Sequence, residues 1–226
     1  KTARADVWQR VGELRDRRNE VDQAIAALRS AFELSPSNRA LFTALERLCY
    51  KRERWLDAMH LYDAAIALVE TRAARAYRLG DLYARRGQIQ LQYLGQPGEA
   101  AASYLRVIEL DPDNDTAVKF LESIFSQQSD WVGLIRAYEK RADLIADDER
   151  KLETLRRAAR VAAAKLKDAG EAARFYSRIV EVEPGDSEAL DALERFYERQ
   201  RDWEALVRIL TTRLALAPAG DAAVTL

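Results

Sequence analysis

Apolar residues recur along this chain at intervals of three and four, separated by single charges. Val7, Trp8, Val11 and Leu14 fall at i, i+1, i+4 and i+7, a spacing that gathers them on one helical face and predicts a helix from Thr2 to about Arg17. Asn19 and Asp22 supply turn and cap chemistry, and a second helix turns Ala24, Leu28, Ala31 and Phe32 inward. The pattern continues through Phe42, Leu45, Leu48 and Cys49, then Trp55, Ala58, Tyr62, Ala65 and Ile66. Later come Ala100, Tyr104, Val107 and Ile108, then Val118, Leu121, Ile124 and Phe125, then Trp131, Leu134, Ile135 and Tyr138. An alanine-rich helix is expected from Leu152 to about Lys167, followed by helices carrying Ala172, Tyr176 and Ile179, then Leu190, Leu193 and Tyr197, then Trp203, Leu206, Ile209 and Leu210. The stretch Gln88 to Leu94 alternates polar and apolar with period two, as a strand would, but a lone strand among helices has no partner to pair with, so helix is the expectation. Pro218 to Leu226 reads as a loop followed by a helical turn. The count is about twelve helices in six hairpins.

The hairpins come in pairs. Pro36, Pro112 and Pro184 lie 76 and 72 residues apart, and Trp55, Trp131 and Trp203 repeat both intervals. Two markers sharing one spacing indicate a stacked repeat, in which each unit covers its apolar face with its neighbour. The interval is about twice the ~34-residue period of the tetratricopeptide repeat. The chain resembles that family in detail: Trp8, Val11-Gly12, Ala24, Leu28, Ala31 and Pro36 follow its pattern, although Arg15 stands where a tyrosine is usual. In the third hairpin Leu79-Gly80 and Tyr83 resemble the family's first-helix motif, but Gly80 and Ala100 are 20 residues apart where the family has about 12. This predicts a first helix about two turns longer, reaching Leu94, and an alternation of long and short first helices along the array. Ala24, Ala58, Ala100 and Ala172 are placed where paired helices approach closely, so a larger side chain there would overpack the crossing. The resemblance implies an all-α fold, a right-handed α-solenoid of about six antiparallel hairpins, forming one array over residues 1–226 that belongs to a longer protein.

Composition narrows the function classes. Lys and Arg number 36 against 37 Asp and Glu, leaving a net charge of −1, which argues against a general nucleic-acid binder or a membrane-attracted surface. No apolar run approaches the ~20 residues needed to span a bilayer, so no membrane insertion is expected. The single methionine, Met59, is internal, which suggests a fragment or a processed product. The lone Cys49 is uninformative about compartment, leaving the cytoplasm slightly favoured over the periplasm. Arginine outnumbers lysine 29 to 7, a bias that fits a GC-rich bacterial genome.

No catalytic constellation emerges. His60 is the only histidine and sits beside no nucleophile motif, and Cys49 lies on an apolar stripe. No phosphate-binding glycine loop or paired-cysteine motif occurs. Asp111, Asp113, Asn114 and Asp115 lack the glycine and terminal glutamate of a calcium loop and read as helix-capping residues. The three repeated tryptophans are expected to pack between hairpins. Neither an enzyme, a cofactor nor a small-molecule substrate is expected. The resemblance implies instead a concave surface lined by the first helix of each hairpin: Gln9, Glu13, Arg47, Lys51, Tyr77, Asp81, Arg85, Lys119, Arg157, Arg160, Arg195 and Arg199. Several are basic, so the expected partner is a peptide or protein domain, with acidic peptides or C-terminal carboxylates suiting the arginines. The arrangement by which some family members clamp chaperone C-termini is absent, since its positions hold Gln9 and Glu13, or Thr43 and Arg47. A non-catalytic interaction scaffold is the first reading. A segment that assembles through its terminal hairpins is the alternative, and an RNA-processing repeat protein, disfavoured by the charge balance, is the third.

Overall fold

The computed structural model describes residues 2–71 and 76–216. Within them the chain forms twelve α-helices and no strand: α1 Thr2–Arg17, α2 Val21–Leu34, α3 Arg39–Lys51, α4 Trp55–Glu70, α5 Leu79–Gln92, α6 Pro97–Leu110, α7 Asp115–Gln128, α8 Trp131–Leu144, α9 Asp148–Val161, α10 Ala169–Val182, α11 Ser187–Gln200 and α12 Trp203–Leu216. The chain divides into two compact units, Lys1–Phe120 and Leu121–Leu226. The expected tail helix beyond Pro218 lies outside the described residues.

The turn inside each hairpin is built the same way. Asn19, Glu53, Gly95, Ser129, Lys167 and Arg201 all have φ between 53° and 62°, the left-handed conformation that ends a helix and reverses the chain. Corresponding turns are spaced as the prolines and tryptophans are, and only one of the six residues is glycine. Between hairpins, Asn38, Asn114 and Asp186 repeat the same intervals, each accepting a backbone N–H of the following helix, from Ala40, Ala117 and Ala189. These caps satisfy donors that a helix start leaves unpaired. Asn114 is thus a capping residue, as its acidic neighbourhood suggested.

Each unit buries large side chains of its own. In unit 1, Tyr62, Tyr104, Leu41, Leu45 and Ile89 are among the largest fully buried side chains; in unit 2, Phe175, Ile179, Leu155 and Leu193 take that role. Ala24, Ala58, Ala100 and Ala172 are all buried, as close helix crossings require.

Three expectations change. The first helix of the third hairpin is not lengthened: α5 has 14 residues. Its helix–helix contact glycine is Gly87, where an added Cβ would lie 3.1 Å from the Tyr104 ring, just as one on Gly12 would lie 2.7 Å from Leu28 Cγ. Around Gly80 there is nothing within 4 Å. With Gly87 in the family's glycine position, Tyr83 falls where Trp8 stands in the first hairpin. Gln88 to Gln92 are helical, ruling out the strand. Second, long and short first helices do not alternate; α3, α5, α7 and α11 have 13 or 14 residues. α1 has 16, and α9 is prolonged by a π-helical segment from Ala162 to Leu166 that stops at left-handed Lys167. Third, the tryptophans differ. Trp55 stacks on Tyr93 with ring centroids 3.7 Å apart and planes 9° from parallel, and meets Tyr50 edge-on. Trp131 is covered by the Lys165 ammonium, 5.4 Å from its ring. Trp203 is 59% exposed and has no such cover among the described residues.

Candidate partner-binding surfaces

The structure sorts the basic positions by whether a carboxylate already holds them. In unit 1, Lys51 pairs with Asp16 at 3.2 Å. The Tyr77 ring packs against Phe42, and its hydroxyl donates to the Pro36 carbonyl at 2.8 Å. Arg85 stands 3.9 Å from Glu46, which accepts the Tyr62 hydroxyl at 2.5 Å. Arg47, Asp81 and Lys119 are exposed. In unit 2, Arg157 is gripped by Glu122 and Glu153, both at 2.7 Å, and Glu122 also accepts the Tyr138 hydroxyl at 2.6 Å. The Glu46–Tyr62–Arg85 and Glu122–Tyr138–Arg157 groups are the same device one repeat apart: a glutamate on one hairpin is fastened to the tyrosine of its paired helix and to an arginine of the next hairpin. Arg85 and Arg157 are therefore partly spent on holding hairpins together.

Arg195 and Arg199 have a different setting. They line a cleft of about 460 Å³ between α10 and α11, floored by Ala163, Ala169, Ala172, Ala173 and Ala192 and walled by Tyr176 and Phe196. Arg195 Nε donates to the Asp191 carbonyl of its own helix, and among the described residues neither guanidinium has a carboxylate partner. Glu188, also lining the cleft, is paired with Arg160 at 3.4 Å. Burial, reinforced by Glu188, pushes the Tyr176 phenol above its ordinary value, so its hydroxyl stays protonated. An apolar floor with aromatic walls and two available guanidiniums suits a ligand carrying both an apolar group and carboxylates.

A smaller cleft in unit 1, about 340 Å³, includes Arg85 and Gln88 beside the stacked rings of Tyr104 and Phe120. A third hollow, about 460 Å³, is lined mainly by Phe32, Leu45, Leu61 and Leu68. Its Arg29 is held by Asp57 at 2.8 Å, and Glu33 and His60 also line it. Of the predicted residues in unit 2, Arg195 and Arg199 share a cleft, and Arg160 reaches its edge through Glu188. The alanine floor and Phe196 were missed by sequence reasoning, although the crowding of alanines on α10 is a visible signal for close helix approach.

Cys49 is buried, which pushes its thiol up to about 12. His60 is exposed at the rim of the apolar hollow. No cluster of three metal-binding side chains occurs among the described residues, and no described helix is long and apolar enough to cross a membrane.

Beside the unit 2 cleft, Asp186 caps α11 through Ala189 N–H at 2.8 Å and receives Arg156 Nε at 3.0 Å. Burial raises its carboxyl, but the Ala189 N–H and the Arg156 guanidinium outweigh that effect and hold it below the usual range. A carboxyl depressed by folding contributes stability that is complete above its unfolded value and is lost as pH falls through the lower folded value. Asp186→Asn, which keeps an acceptor for the cap and loses the charge, is expected to cost about 1–2 kcal/mol at pH 7 and to flatten the loss of melting temperature below about pH 4. Thermal melts of both proteins from pH 7 to pH 3 check this; parallel curves would refute it.

Sequence comparisons agree with this architecture. Residues 5–38 and 80–114 match one tetratricopeptide-repeat family model and residues 189–221 match another. A curated relative, the Protein CTR9 homolog of Arabidopsis thaliana, is 27% identical over 133 residues, which cover 59% of this chain and 12% of that protein. The chain therefore corresponds to a small part of that relative. Among solved structures, a tetratricopeptide repeat protein from Parabacteroides merdae is 13% identical, with a TM-score of 0.42 over 93% of this chain and 77% of that one. The first repeat domain of Spaghetti, bound to an HSP90 peptide, is 24% identical with a TM-score of 0.39, covering 57% of this chain and 96% of that one. The matches over residues 5–38 and 80–114 fall on the α1–α2 and α5–α6 hairpins, with Gly12 and Gly87 at equivalent helix crossings, and the chain carries tetratricopeptide repeats in its matched segments.

Proposed function

We propose that the chain is a non-catalytic scaffold that holds an acidic peptide, or an acidic segment of a partner domain, against the first helices of its hairpins, with the α10–α11 cleft as its principal anchor. The observation that carries this reading is the pair Arg195 and Arg199 above an alanine floor, without carboxylates of their own. Stacked hairpins present such extended surfaces, and a guanidinium with no internal partner is available for bidentate contact with carboxylate. Arg47 and Lys119, exposed on unit 1, are proposed contacts of that unit by itself. Lys51, Tyr77, Asp81, Arg85, Arg157 and Arg160 complete the proposed set; those held by glutamate or aspartate orient the surface more than they grip a ligand.

The test is fluorescence anisotropy with labelled peptides of alternating acidic and apolar residues, against charge-matched basic peptides as controls. The expected result is binding of the acidic series alone, weakened at least tenfold in an Arg195→Glu, Arg199→Glu double variant that keeps its helical circular dichroism. Equal affinity in the variant would remove the cleft from the proposal, and no binding of any acidic peptide would remove the ligand class.

A further inference from the structure

The cleft of unit 2 and the smaller cleft of unit 1 share a frame. Tyr104 and Tyr176 are 72 residues apart, as are Thr116 and Glu188, and Phe120 and Ala192; the first of each pair lines the unit 1 cleft and the second the unit 2 cleft. Their surroundings match. Asn114 and Asp186 both cap the helix that follows, and Ala100 and Ala172, like Ala117 and Ala189, are buried.

What covers the tyrosine differs. In unit 1 the Phe120 ring lies on Tyr104, with centroids 4.6 Å apart and planes 9° from parallel, and Tyr104 is only 2% exposed. In unit 2 the place of Phe120 belongs to Ala192, and Tyr176 is half-buried. No ring among the described residues is stacked on Tyr176; Phe196, one turn beyond Ala192, meets Tyr197 edge-on instead. The cleft is correspondingly larger, about 460 Å³ against about 340 Å³. Both helices that pair with α11 are in place, since it packs against α10 and α12.

The polar residues change together with the ring. Where α11 carries Arg195 and Arg199, α7 carries Ser123 and Gln127, a neutral pair in which Gln127 Nε2 donates to Ser123 Oγ at 3.3 Å. The repeat with the filled ring place has neutral neighbours. The repeat with the empty one has two guanidiniums without carboxylates of their own.

We infer that the α10–α11 cleft takes an aromatic side chain of the bound peptide, stacked on Tyr176 as Phe120 is stacked on Tyr104, while carboxylates of neighbouring peptide residues meet Arg195 and Arg199. This rests on the acidic-peptide reading above and narrows it to segments in which an aromatic residue is flanked by Asp or Glu. An aliphatic side chain fills the space but offers the tyrosine no π face, and alanine leaves it uncovered.

The test is fluorescence anisotropy with two peptide series, one acidic and one neutral, each carrying phenylalanine, cyclohexylalanine or alanine at its centre. Cyclohexylalanine keeps the bulk of phenylalanine and loses its aromaticity. The wild type is expected to bind the acidic phenylalanine peptide about threefold tighter than its cyclohexylalanine counterpart, and about tenfold or more tighter than its alanine counterpart. Ala192→Phe supplies the missing ring from within. This variant is expected to melt no lower than the wild type and to bind all three acidic peptides alike, at the affinity of the alanine peptide, because its arginines remain. Acidic peptides that bind regardless of the central residue would overturn the aromatic slot and leave the acidic ligand class standing. A phenylalanine preference equal in both series and abolished by Ala192→Phe would support the slot and remove the acidic class. Absence of binding in both series would overturn the slot, as would a phenylalanine preference that survives Ala192→Phe. An Ala192→Phe chain that unfolds, or melts well below the wild type, would show that no ring fits there.

Discussion

Replacing Tyr62 by alanine is expected to destabilise unit 1 by about 3–5 kcal/mol, the range for deleting a buried aromatic ring. The side chain is fully buried, and its ring meets Phe42 edge-on at 5.8 Å between centroids. Phe42 in turn touches Phe32 and Tyr77, so the cavity would open at the centre of an aromatic cluster joining α2, α3 and α4 to the segment before α5. Burial, together with the Glu46 carboxylate, pushes the phenol far above its ordinary value, so the hydroxyl remains a donor at any pH at which the protein folds. Tyr62→Phe removes only that donor and is expected to cost about 1 kcal/mol. Urea denaturation followed by circular dichroism separates the two contributions. A loss below about 1 kcal/mol for the alanine variant would show that the cluster collapses around the vacancy. Tyr138, with Glu122 and Arg157, occupies the equivalent place in unit 2.

The second large effect distinguishes two glycines seven residues apart. Gly87→Val is expected to cost about 1–3 kcal/mol through overpacking, because a Cβ there already meets the Tyr104 ring at 3.1 Å and Ser103 Cβ at 3.2 Å. Tyr104 cannot swing away easily: it is buried and its ring is stacked on Phe120 at 4.6 Å. Gly80→Ala, by contrast, meets nothing within 4 Å and should leave stability unchanged or raise it by about 0.5 kcal/mol through helix propensity. Thermal melts of the two variants measure this difference. A destabilised Gly80→Ala with a tolerated Gly87→Val would restore the register that the motif alone suggested.

That pair of glycines shows where local reading stops. Leu79, Gly80 and Tyr83 satisfy the family's wording, but Gly87 lies 13 residues before Ala100, close to the 12 between Gly12 and Ala24, and it is Gly87 that faces Tyr104. The same holds for the basic residues. Arg47 and Arg157 read alike along their helices, yet Arg157 is neutralised by Glu122, 35 positions away. Lys51 meets Asp16, also 35 positions away. These separations are about one tetratricopeptide period, so such pairs arise only when hairpins stack.

What the sequence determined by itself was everything with a short range. A period of 3.6 residues marked the helices, turn and cap residues marked their ends, and the shared spacing of prolines and tryptophans marked a double hairpin as the unit. Each of those depends on a few neighbouring residues, so a single chain can state them. The tertiary structure alone decided which repeated residues do the same work. Trp55, Trp131 and Trp203 are one marker in the sequence, but the first is stacked, the second is capped by Lys165 and the third is bare. Burial belongs to the neighbour as much as to the residue. In a stacked repeat that neighbour is a whole hairpin away, and where no hairpin follows among the described residues the same side chain becomes a surface.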